Sequence, residues 1–262
     1  MNQYRIVVAA RKGGVGKSTI ACGLASIFSH KGLRTLVIDL DPQSNAAYIL
    51  GVDPIAPGTA ELLLGQNPTP LPVSLTLEVL PGGPELGSSK IQSLHPEDLA
   101  EIVQSLQYDV VIFDCPPGNE YLERLALVAA NTALVITNAH PLAVMGAARV
   151  LEILETYQQK NRRGPKRWGL VLSKIDTRRS MDKQFAPQLA LQYPDIPQFL
   201  IPQDTTLSLA SAEQIPIMDY DPKSRGVKEL QSLVNWGKGS EAATKCHSKA
   251  RFKCWQRFQR NF

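Results

Sequence analysis

The sequence predicts an α/β fold in which helices cover both faces of a mostly parallel, twisted sheet. Short apolar segments alternate with longer amphipathic ones along most of the chain. The apolar segments are continuous, as in Asp-Val-Val-Ile-Phe-Asp at residues 109–114, which is typical of parallel strands buried on both faces. A glycine-rich turn joins the first apolar segment to the first helical one. Ligands of such sheets bind beyond the carboxyl ends of the strands, so we expect the functional site there.

The size and composition of the chain suit one large domain followed by a tail. Its 262 residues are 44% hydrophobic, enough for a full core, and no apolar run is long enough to span a membrane. The first predicted strand begins close to the N-terminus, with no charged and apolar signal segment before it, so we expect a cytoplasmic protein. The cysteines lack metal-binding spacing and are expected to be reduced thiols; they are Cys22, Cys115, Cys246 and Cys254.

Strands and helices are predicted in regular alternation. Continuous apolar segments predict strands at residues 6–10, 34–39, 76–80, 109–114, 133–137, 167–173 and 198–201. Segments with helical periodicity predict helices at residues 20–28, 59–64, 96–106, 120–130, 141–158, 181–192 and 227–236. Gly32 is expected to end the first helix, and the proline-rich residues 42–75 to be irregular apart from one short helix. The apolar side of the long helix is expected to comprise Leu142, Met145, Val150, Leu151 and Leu154.

A phosphate-binding loop is predicted at residues 11–19, Arg-Lys-Gly-Gly-Val-Gly-Lys-Ser-Thr. Its glycines allow a tight turn that brings backbone N–H groups up to phosphate oxygens, and the next helix adds its positive end. Lys17 is expected to neutralise the β- and γ-phosphates, and the Ser18 hydroxyl to bind Mg²⁺. The segment from Gly13 to Ser18 is two residues shorter than the full G-x-x-x-x-G-K-[ST] spacing, so the loop is a variant. An ordinary glycine turn would not explain the Lys17-Ser18 pair.

Acidic residues at the ends of two predicted strands are expected to complete this site. Asp114 ends the segment 109–114, where a carboxylate can hold Mg²⁺ through water in the Walker B role. The alternative is an aspartate that caps the next helix. Asp39 and Asp41 are two residues apart on an extended segment and point to the same side, within reach of Mg²⁺ or a water. Solvated loop acids are the alternative for this pair.

The motifs together resemble the ParA/MinD family of partitioning ATPases. The deviant Walker A motif of that family carries an extra "signature" lysine, which is Lys12 in this chain. The Asp-Pro-Gln and Tyr-Asp-Pro pieces are similar to the ParA/Soj branch. The matching segments, in order, are residues 12–19, 39–45 (Asp-Leu-Asp-Pro-Gln-Ser-Asn), 114–117 (Asp-Cys-Pro-Pro), 201–204 (Ile-Pro-Gln-Asp) with 207–208, and 220–226 (Tyr-Asp-Pro-Lys-Ser-Arg-Gly).

The resemblance implies an ATP hydrolase of the P-loop type that forms a homodimer with ATP and Mg²⁺. Two subunits would sandwich two nucleotides, and Lys12 of each would act like an arginine finger on the partner's phosphates. Asp41 would position the attacking water, beside the catalytic lysines Lys12 and Lys17. The metal would be held by Ser18, Asp39 and Asp114. The implied nucleotide-binding residues are Lys12, Gly13, Gly14, Val15, Gly16, Lys17, Ser18, Thr19, Pro202 and Asp204, the last two against adenine.

The resemblance also implies what the ATPase is for. Hydrolysis would be slow until a cognate adaptor or centromere-binding protein stimulates it. The ATP dimer would bind DNA nonspecifically, associate with the nucleoid, and move a plasmid, a chromosome or a protein cargo. The chain departs from the family pattern Ile-Pro-Arg-Asn-x-Arg, because residues 201–206 read Ile-Pro-Gln-Asp-Thr-Thr. Two basic residues of that pattern are missing, so contact with DNA would have to come from other basic residues. Each candidate group could also be an ordinary solvated face; the groups are Lys223, Arg225 and Lys228; Arg178 and Arg179; and Lys160, Arg162, Arg163, Lys166 and Arg167.

One further segment bears on the choice of nucleotide. Ser173-Lys174-Ile175-Asp176 resembles the Asn-Lys-x-Asp element with which GTPases read guanine. Serine replaces the asparagine of that element. Asp114 begins the segment Asp-Cys-Pro-Pro-Gly rather than the Asp-x-x-Gly of GTPases, so ATP is favoured over GTP. A cluster-assembly or nitrogenase-reductase relative is disfavoured because the chain lacks paired cysteines.

The C-terminus differs in charge from the rest of the chain. We place the P-loop ATPase domain at residues 1–236 and a linker with a basic amphipathic tail at residues 237–262. Residues 245–262 hold six of the 28 basic residues and no acid, although the net charge is only +4. Four aromatic residues recur there at helical spacing, which is compatible with an interfacial membrane helix and gives a MinD-like, membrane-binding spatial regulator as the alternative function. The same composition also suits nucleic acid, a disordered extension, or a helix docked on the body.

Overall fold

All the strands that the structure describes belong to one sheet. The computed structural model describes residues 3–176 and 178–238. The strands are β1 (Tyr4–Ala9), β2 (Thr35–Asp39), β3 (Leu71–Pro72), β4 (Leu77–Leu80), β5 (Val110–Asp114), β6 (Thr132–Thr137), β7 (Arg167–Ile175) and β8 (Gln198–Pro202). Their order across the sheet is β3-β4-β2-β5-β1-β6-β7-β8, and every neighbouring pair is parallel except β3 and β4. The predicted fold class is confirmed.

Helices connect the strands in the predicted alternation. They are α1 (Lys17–His30), α2 (Asn45–Ile49), α3 (Thr59–Leu63), α4 (Ser89–Gln92), α5 (Asp98–Ser105), α6 (Glu120–Ala129), α7 (Pro141–Gln159), α8 (Ser180–Gln192), α9 (Thr205–Ala212), α10 (Ile217–Tyr220) and α11 (Arg225–Lys238). The sequence did not predict α2, α4, α9 and α10, or the two-residue strand β3. Helices α2, α4 and α10 have only four or five residues, and the apolar residues of α9 do not share one side, since Leu209 is 50% exposed.

Alternate residues of the strands face two separate cores. Val7 and Ala9 of β1 pack on one face of the sheet with apolar side chains of α3 to α8. Ile6 and Val8 pack on the other face with α1, α2 and α9 to α11. Successive side chains of a strand point to opposite faces, so a strand between two helical layers must be apolar at every position. This explains the continuous apolar segments of the sequence.

The prediction for the apolar side of α7 is wrong at two positions. Leu142 and Met145 are 61% and 37% exposed, whereas Val150, Leu151 and Leu154 are buried as predicted. The buried stripe begins instead at Ala143 and Val144. Leu142 and Met145 lie on the same side of α7 as the exposed Arg149 and Glu152, and this side faces the solvent.

The last helix lies along the sheet and ends near its amino edge. Arg167 of β7 donates to the carbonyl of Trp236 (2.8 Å), and its guanidinium lies 4.7 Å from the centre of that ring. The helix runs to Lys238, two residues into the predicted linker, and the predicted tail at 245–262 lies outside the described residues. Cys22 and Cys115 are free and buried, as expected. Among the described helices, none has both the length and the apolar composition of a membrane span.

Candidate nucleotide site

The glycine-rich loop connects β1 to α1 at the carboxyl edge of the sheet. Gly14 and Gly16 have φ angles of +74° and +91°, in the left-handed region where a residue with a Cβ is strained. A Cβ added at Gly13 or Gly14 would meet no atom within 4 Å, so the loop borders open space. The N–H groups of the first turn of α1 have no helical partner and carry partial positive charge. This is the main-chain arrangement that a phosphate requires.

The beginning of α1 and the end of β5 bring three predicted residues together. Lys17 is 7% exposed, Ser18 is half-buried, and Asp114 is completely buried. Asp114 pairs in register with Val8 of β1, which places it beside the loop. Burial raises the pKa of Asp114 to about 6, against the lowering effects of the Ser18 hydroxyl and the Lys17 ammonium. The Ser18 hydroxyl is thus close to this carboxylate, but no described residue makes a hydrogen bond of normal geometry to either Asp114 oxygen.

The orphaned carboxylate of Asp114 fits a hydrated magnesium ion. Mg²⁺ keeps several waters and is usually bound by one or two protein oxygens together with substrate phosphates. No cluster of three or more acidic, histidine or cysteine ligands occurs in the described part of the chain. A buried carboxylate without a partner is costly in a folded protein unless a ligand or water satisfies it. Ser18 and Asp114 therefore meet the requirements of the predicted metal site.

Asp39 is engaged by the main chain of the next turn. Its Oδ1 accepts the N–H of Asp41 (2.9 Å), and its Oδ2 accepts the N–H of Ala46 (2.8 Å). Burial and the neighbouring Asp114 raise its pKa well above the usual range, while these two N–H groups lower it. Asp39 pairs in register with Asp114, so the two carboxylates end adjacent strands. The contacts describe a residue that holds the turn carrying Asp41, and direct metal binding by Asp39 stays a prediction.

Asp41 lies in that turn with one oxygen uncommitted. It is 7% exposed, and its Oδ1 accepts the N–H of Gln43 (3.0 Å). No described residue bonds to its Oδ2. A carboxylate that is held by one oxygen and open at the other can orient a water, which is the predicted role of Asp41.

Ser173 and Lys174, at the end of β7, contact the loop from the other side. The Ser173 hydroxyl lies within hydrogen-bond distance of the carbonyls of Val15 and Thr137. The Lys174 Nζ donates to the carbonyl of Gly14 (2.7 Å). Lys174 has a φ of +56°, an uncommon conformation for a residue with a Cβ, at a break in the register between β7 and β8. The sequence singled out these residues for a resemblance to a guanine-reading element, but did not predict this contact.

The predicted base-side residues stand at the end of β8. Pro202 is buried, and Asp204 follows it as the N-cap of α9. The Asp204 Oδ1 accepts the N–H of Thr206 (2.7 Å), and Oδ2 accepts the N–H of Gly226 (2.7 Å). The carboxylate thus ties the start of α9 to the start of α11. Contact of this segment with adenine stays a prediction, and the Asp204 side chain already has a structural role.

The three predicted basic clusters differ in how their charges are used. Arg178 donates from Nε and Nη2 to the Asp176 carboxylate (2.9 Å each), and the Nε of Arg179 lies 3.8 Å from it. In the cluster at 160–167, Arg163 pairs with Glu97, and Arg167 is bonded to Trp236. The remaining cluster is exposed and makes no ion pair with another described residue; it comprises Lys223, Arg225 and Lys228.

Comparison with known proteins gives matches along most of the chain. A family model described as an AAA domain matches residues 3–164. The chromosome-partitioning ATPase Soj of Thermus thermophilus is 32% identical over 234 residues, which cover 88% of this chain and 93% of the relative. The chromosome partitioning protein ParA of Myxococcus xanthus is 29% identical over 241 residues, 87% of this chain and 85% of the relative. The septum site-determining protein MinD of Pyrococcus horikoshii, solved with Mg-ADP, shares the fold with a TM-score of 0.75 and 24% identity, over 90% of this chain and 96% of that one.

Proposed function

The chain belongs to the ParA/MinD family of ATPases, and from this premise we propose that it is a ParA-type ATPase that dimerises on ATP and binds DNA nonspecifically. Partner-stimulated hydrolysis would then position or segregate a plasmid, chromosome or protein cargo. The names of the two partitioning relatives support this function, as does the Mg-ADP bound to the MinD relative. The protein would act in the cytoplasm on the nucleoid, with a cognate adaptor or centromere-binding protein as its partner.

The observation that carries the proposal is the isolation of Lys12. Its side chain is half-exposed and makes no hydrogen bond or ion pair with any other described residue. Lys17, five residues on, is instead buried at the start of α1. A flexible ammonium group without a partner among the described residues of its own chain suits phosphates held by a second copy. There it would stabilise the charge of the transferring phosphoryl group.

The other site residues have distinct tasks in this proposal. The main chain of residues 13–19 and the Lys17 ammonium would bind the phosphates, and Ser18 and Asp114 would hold hydrated Mg²⁺. Bound Mg²⁺ would supply positive charge that neutralises the phosphate oxygens. Asp39 keeps the Asp41 N–H in place, so that the open oxygen of Asp41 can orient the attacking water. Exclusion of bulk water would follow from closure of the dimer over both nucleotides.

Among the basic clusters, the one at the start of α11 is the best candidate for DNA. Lys223, Arg225 and Lys228 are exposed and free of described acidic partners, whereas the other two clusters are partly neutralised. Contacts between such cations and DNA phosphates release counterions, so the binding would weaken steeply as salt rises. The basic tail at 245–262 supports the alternative, a MinD-like regulator that binds an anionic membrane surface.

Binding assays with two surfaces test the proposal. Full-length protein would be incubated with ATP and either random-sequence DNA or anionic vesicles, at low and at high salt. We expect ATP-dependent, salt-sensitive binding to DNA, increased in Asp41→Ala because hydrolysis no longer ends the dimer. Lys17→Ala, which removes the phosphate-binding ammonium, should abolish the response to ATP. Binding to vesicles but not to DNA would favour the MinD-like alternative, and binding to neither would contradict both.

A further inference from the structure

We propose that Arg11 is a positioning residue that directs Lys12 out of its own site and toward the site of the partner subunit. The guanidinium of Arg11 is held by Glu120 and Glu123 on α6. This inference rests on the proposed function, because it assumes that Lys12 acts in a second subunit.

The first observation is an ion pair that is largely shielded from water. The Arg11 Nη2 donates to the Glu123 Oε1 at 3.0 Å, and Nη1 donates to the Glu120 carboxylate. The side chains of Arg11 and Glu123 are 12% and 4% exposed, whereas Glu120 is 70% exposed at the rim. Burial raises the pKa of Glu123, and the charge of Arg11 lowers it. Loss of Arg11 would leave the buried Glu123 carboxylate without a compensating charge, which is unfavourable.

The second observation is the close packing of the Arg11 main chain. A Cβ added at Gly146 of α7 would lie 3.1 Å from the Cβ of Arg11. A Cβ added at Gly118, in the loop that follows Asp114, would lie 3.9 Å from the Arg11 carbonyl. Arg11 is therefore seated between α6, α7 and the loop after β5. The Cα atom of Lys12 is only about 3.8 Å farther along the chain, so its direction depends on this seat.

The third observation is that the cationic side chains in and beside the loop have different partners. Arg11 has two carboxylate partners, Lys17 is buried at the start of α1, and Lys174 donates to the Gly14 carbonyl. Lys12 has no partner in the described part of its own chain. The acids on α6 thus keep the Arg11 guanidinium away from phosphates in its own site. Only the ammonium of Lys12 remains available to a second subunit.

The competing explanation is that Arg11 supports its own loop. It would then affect phosphate binding in the same subunit and have nothing to do with Lys12. The two explanations differ in which subunit of a dimer needs Arg11, and mixed dimers distinguish them.

The experiment uses full-length Arg11→Gln mixed with full-length Asp41→Ala. Alone, Arg11→Gln should hydrolyse ATP at least about tenfold more slowly, because small errors in the position of a catalytic group cost that much or more. Its affinity for fluorescent ADP should stay within about twofold, because a single subunit binds ADP without Lys12 of a partner. Asp41→Ala should be inactive alone but retains a correctly directed Lys12. Arg149→Gln, an exposed arginine on α7, is the matched control and should behave as wild type.

Mixing the two variants before ATP is added should restore hydrolysis. About half of the dimers would be mixed, each with one complete site in the Arg11→Gln subunit, so about a quarter of the wild-type rate is expected. Lys12→Gln mixed with Asp41→Ala should be restored in the same way. Arg11→Lys keeps the charge but not the two-pronged contact, and should lie between Arg11→Gln and wild type, with the same restoration on mixing.

Four results would overturn the inference. Restoration of Lys12→Gln without restoration of the Arg11 variants would mean that Arg11 acts in its own site, and the proposed function would stand. Restoration of neither would remove the shared site, and the proposed function would fail with it. A wild-type rate for Arg11→Gln alone, or loss of ADP binding by both Arg11 variants, would also contradict the positioning role.

Discussion

Asp114 and Asp204 both follow buried strands at the carboxyl edge of the sheet, yet their environments are opposite. Asp114 is completely buried, and both of its oxygens lack a described hydrogen-bond partner. Asp204 is half-buried, and its oxygens accept the N–H groups of Thr206 and Gly226 at 2.7 Å. A carboxylate satisfied by the main chain stabilises the fold, whereas one left unsatisfied is destabilising until a ligand arrives. The comparison separates an aspartate that the main chain satisfies from one that the main chain leaves unsatisfied.

The largest expected effect separates activity from stability at Asp114. Asp114→Asn should lower ATP hydrolysis about 10- to 100-fold, because outer-shell partners of a metal contribute on that scale. Its melting temperature without nucleotide should be equal to or above that of the wild type, because the variant removes a buried, unpaired carboxylate. Hydrolysis and thermal unfolding are measured with Asp219→Asn, an exposed acid, as the control. A clear loss of stability in the absence of nucleotide would contradict this description of Asp114.

The second prediction is the reverse result at Asp204. Asp204→Ala should lower the free energy of unfolding by about 2 kcal/mol, because the cap of α9 and the tie to α11 are lost together. Urea unfolding measures this change, and Ser208→Ala, which removes an exposed hydroxyl from the same helix, should leave stability nearly unchanged. Nucleotide affinity at a temperature where the variant is folded should be retained. A variant of wild-type stability with weakened nucleotide binding would instead assign Asp204 to the adenine side of the site.

A smaller effect is expected at the end of β7. Lys174→Met keeps the length of the side chain but removes the donor to the Gly14 carbonyl. The phosphate-binding loop should then be less well ordered before nucleotide binds. Affinity for ADP should fall about fivefold, because one hydrogen bond contributes about 1 kcal/mol net, and this energy corresponds to about a fivefold change in the dissociation constant. Calorimetric titration measures the affinity, with Lys183→Met on the exposed side of α8 as the matched control. An unchanged affinity would mean that Ser173 alone supports the loop.

The smallest effect concerns Asp176, which follows the same strand. The Arg178 side chain and N–H lower the pKa of Asp176 from 3.8 to about 2. Because this pKa is depressed in the folded state, the contribution to stability is present above pH 4 and is lost as pH falls toward 2. The Arg178 side chain is 89% exposed, although that of Asp176 is only 12% exposed, so water screens the contact from the arginine side. Arg178→Ala should therefore raise the pKa of Asp176 in an NMR titration without a measurable change in the urea midpoint at pH 7. A large shift of that midpoint would show that the pair is structural, as Asp204 is.

Local sequence patterns predicted the parts of the site that are built from neighbours in the chain. The loop between β1 and α1 and the position of Asp114 at the end of β5 follow from apolar runs, glycines and polar residues within a few positions of one another. The partners of the acidic residues could not be read in this way. The Asp204 carboxylate bonds to an N–H 22 residues away, and Lys174 reaches a carbonyl 160 residues away. Such contacts depend on how the strands are ordered in the sheet.

Some helices were missed or misplaced because local hydrophobicity does not show which side of a helix the rest of the protein covers. Helix α9 begins at the cap that Asp204 provides, and its apolar residues do not share one side, because Leu209 is 50% exposed whereas Leu207 and Ala210 are buried. In α7, the sequence contains two apolar residues, Leu142 and Met145, on the side that the sheet does not cover. Hydrophobicity alone therefore selected the wrong stripe at the start of that helix, whereas its middle, where Val150 and Leu154 face the sheet, was predicted correctly.

The pairing registers of the central strands bear on how much the amino-acid sequence can change while the fold is retained. Val8 stands opposite Asp114, and Asp114 stands opposite Asp39, so the ends of β1, β5 and β2 form one row. The spacing of that row, about 4.8 Å between strands, is set by peptide groups that every sequence possesses. Core side chains can consequently be exchanged wholesale while the distances across the site are preserved. A relative that shares only 24% of its residues can still superpose along 90% of the chain because backbone pairing holds the row together.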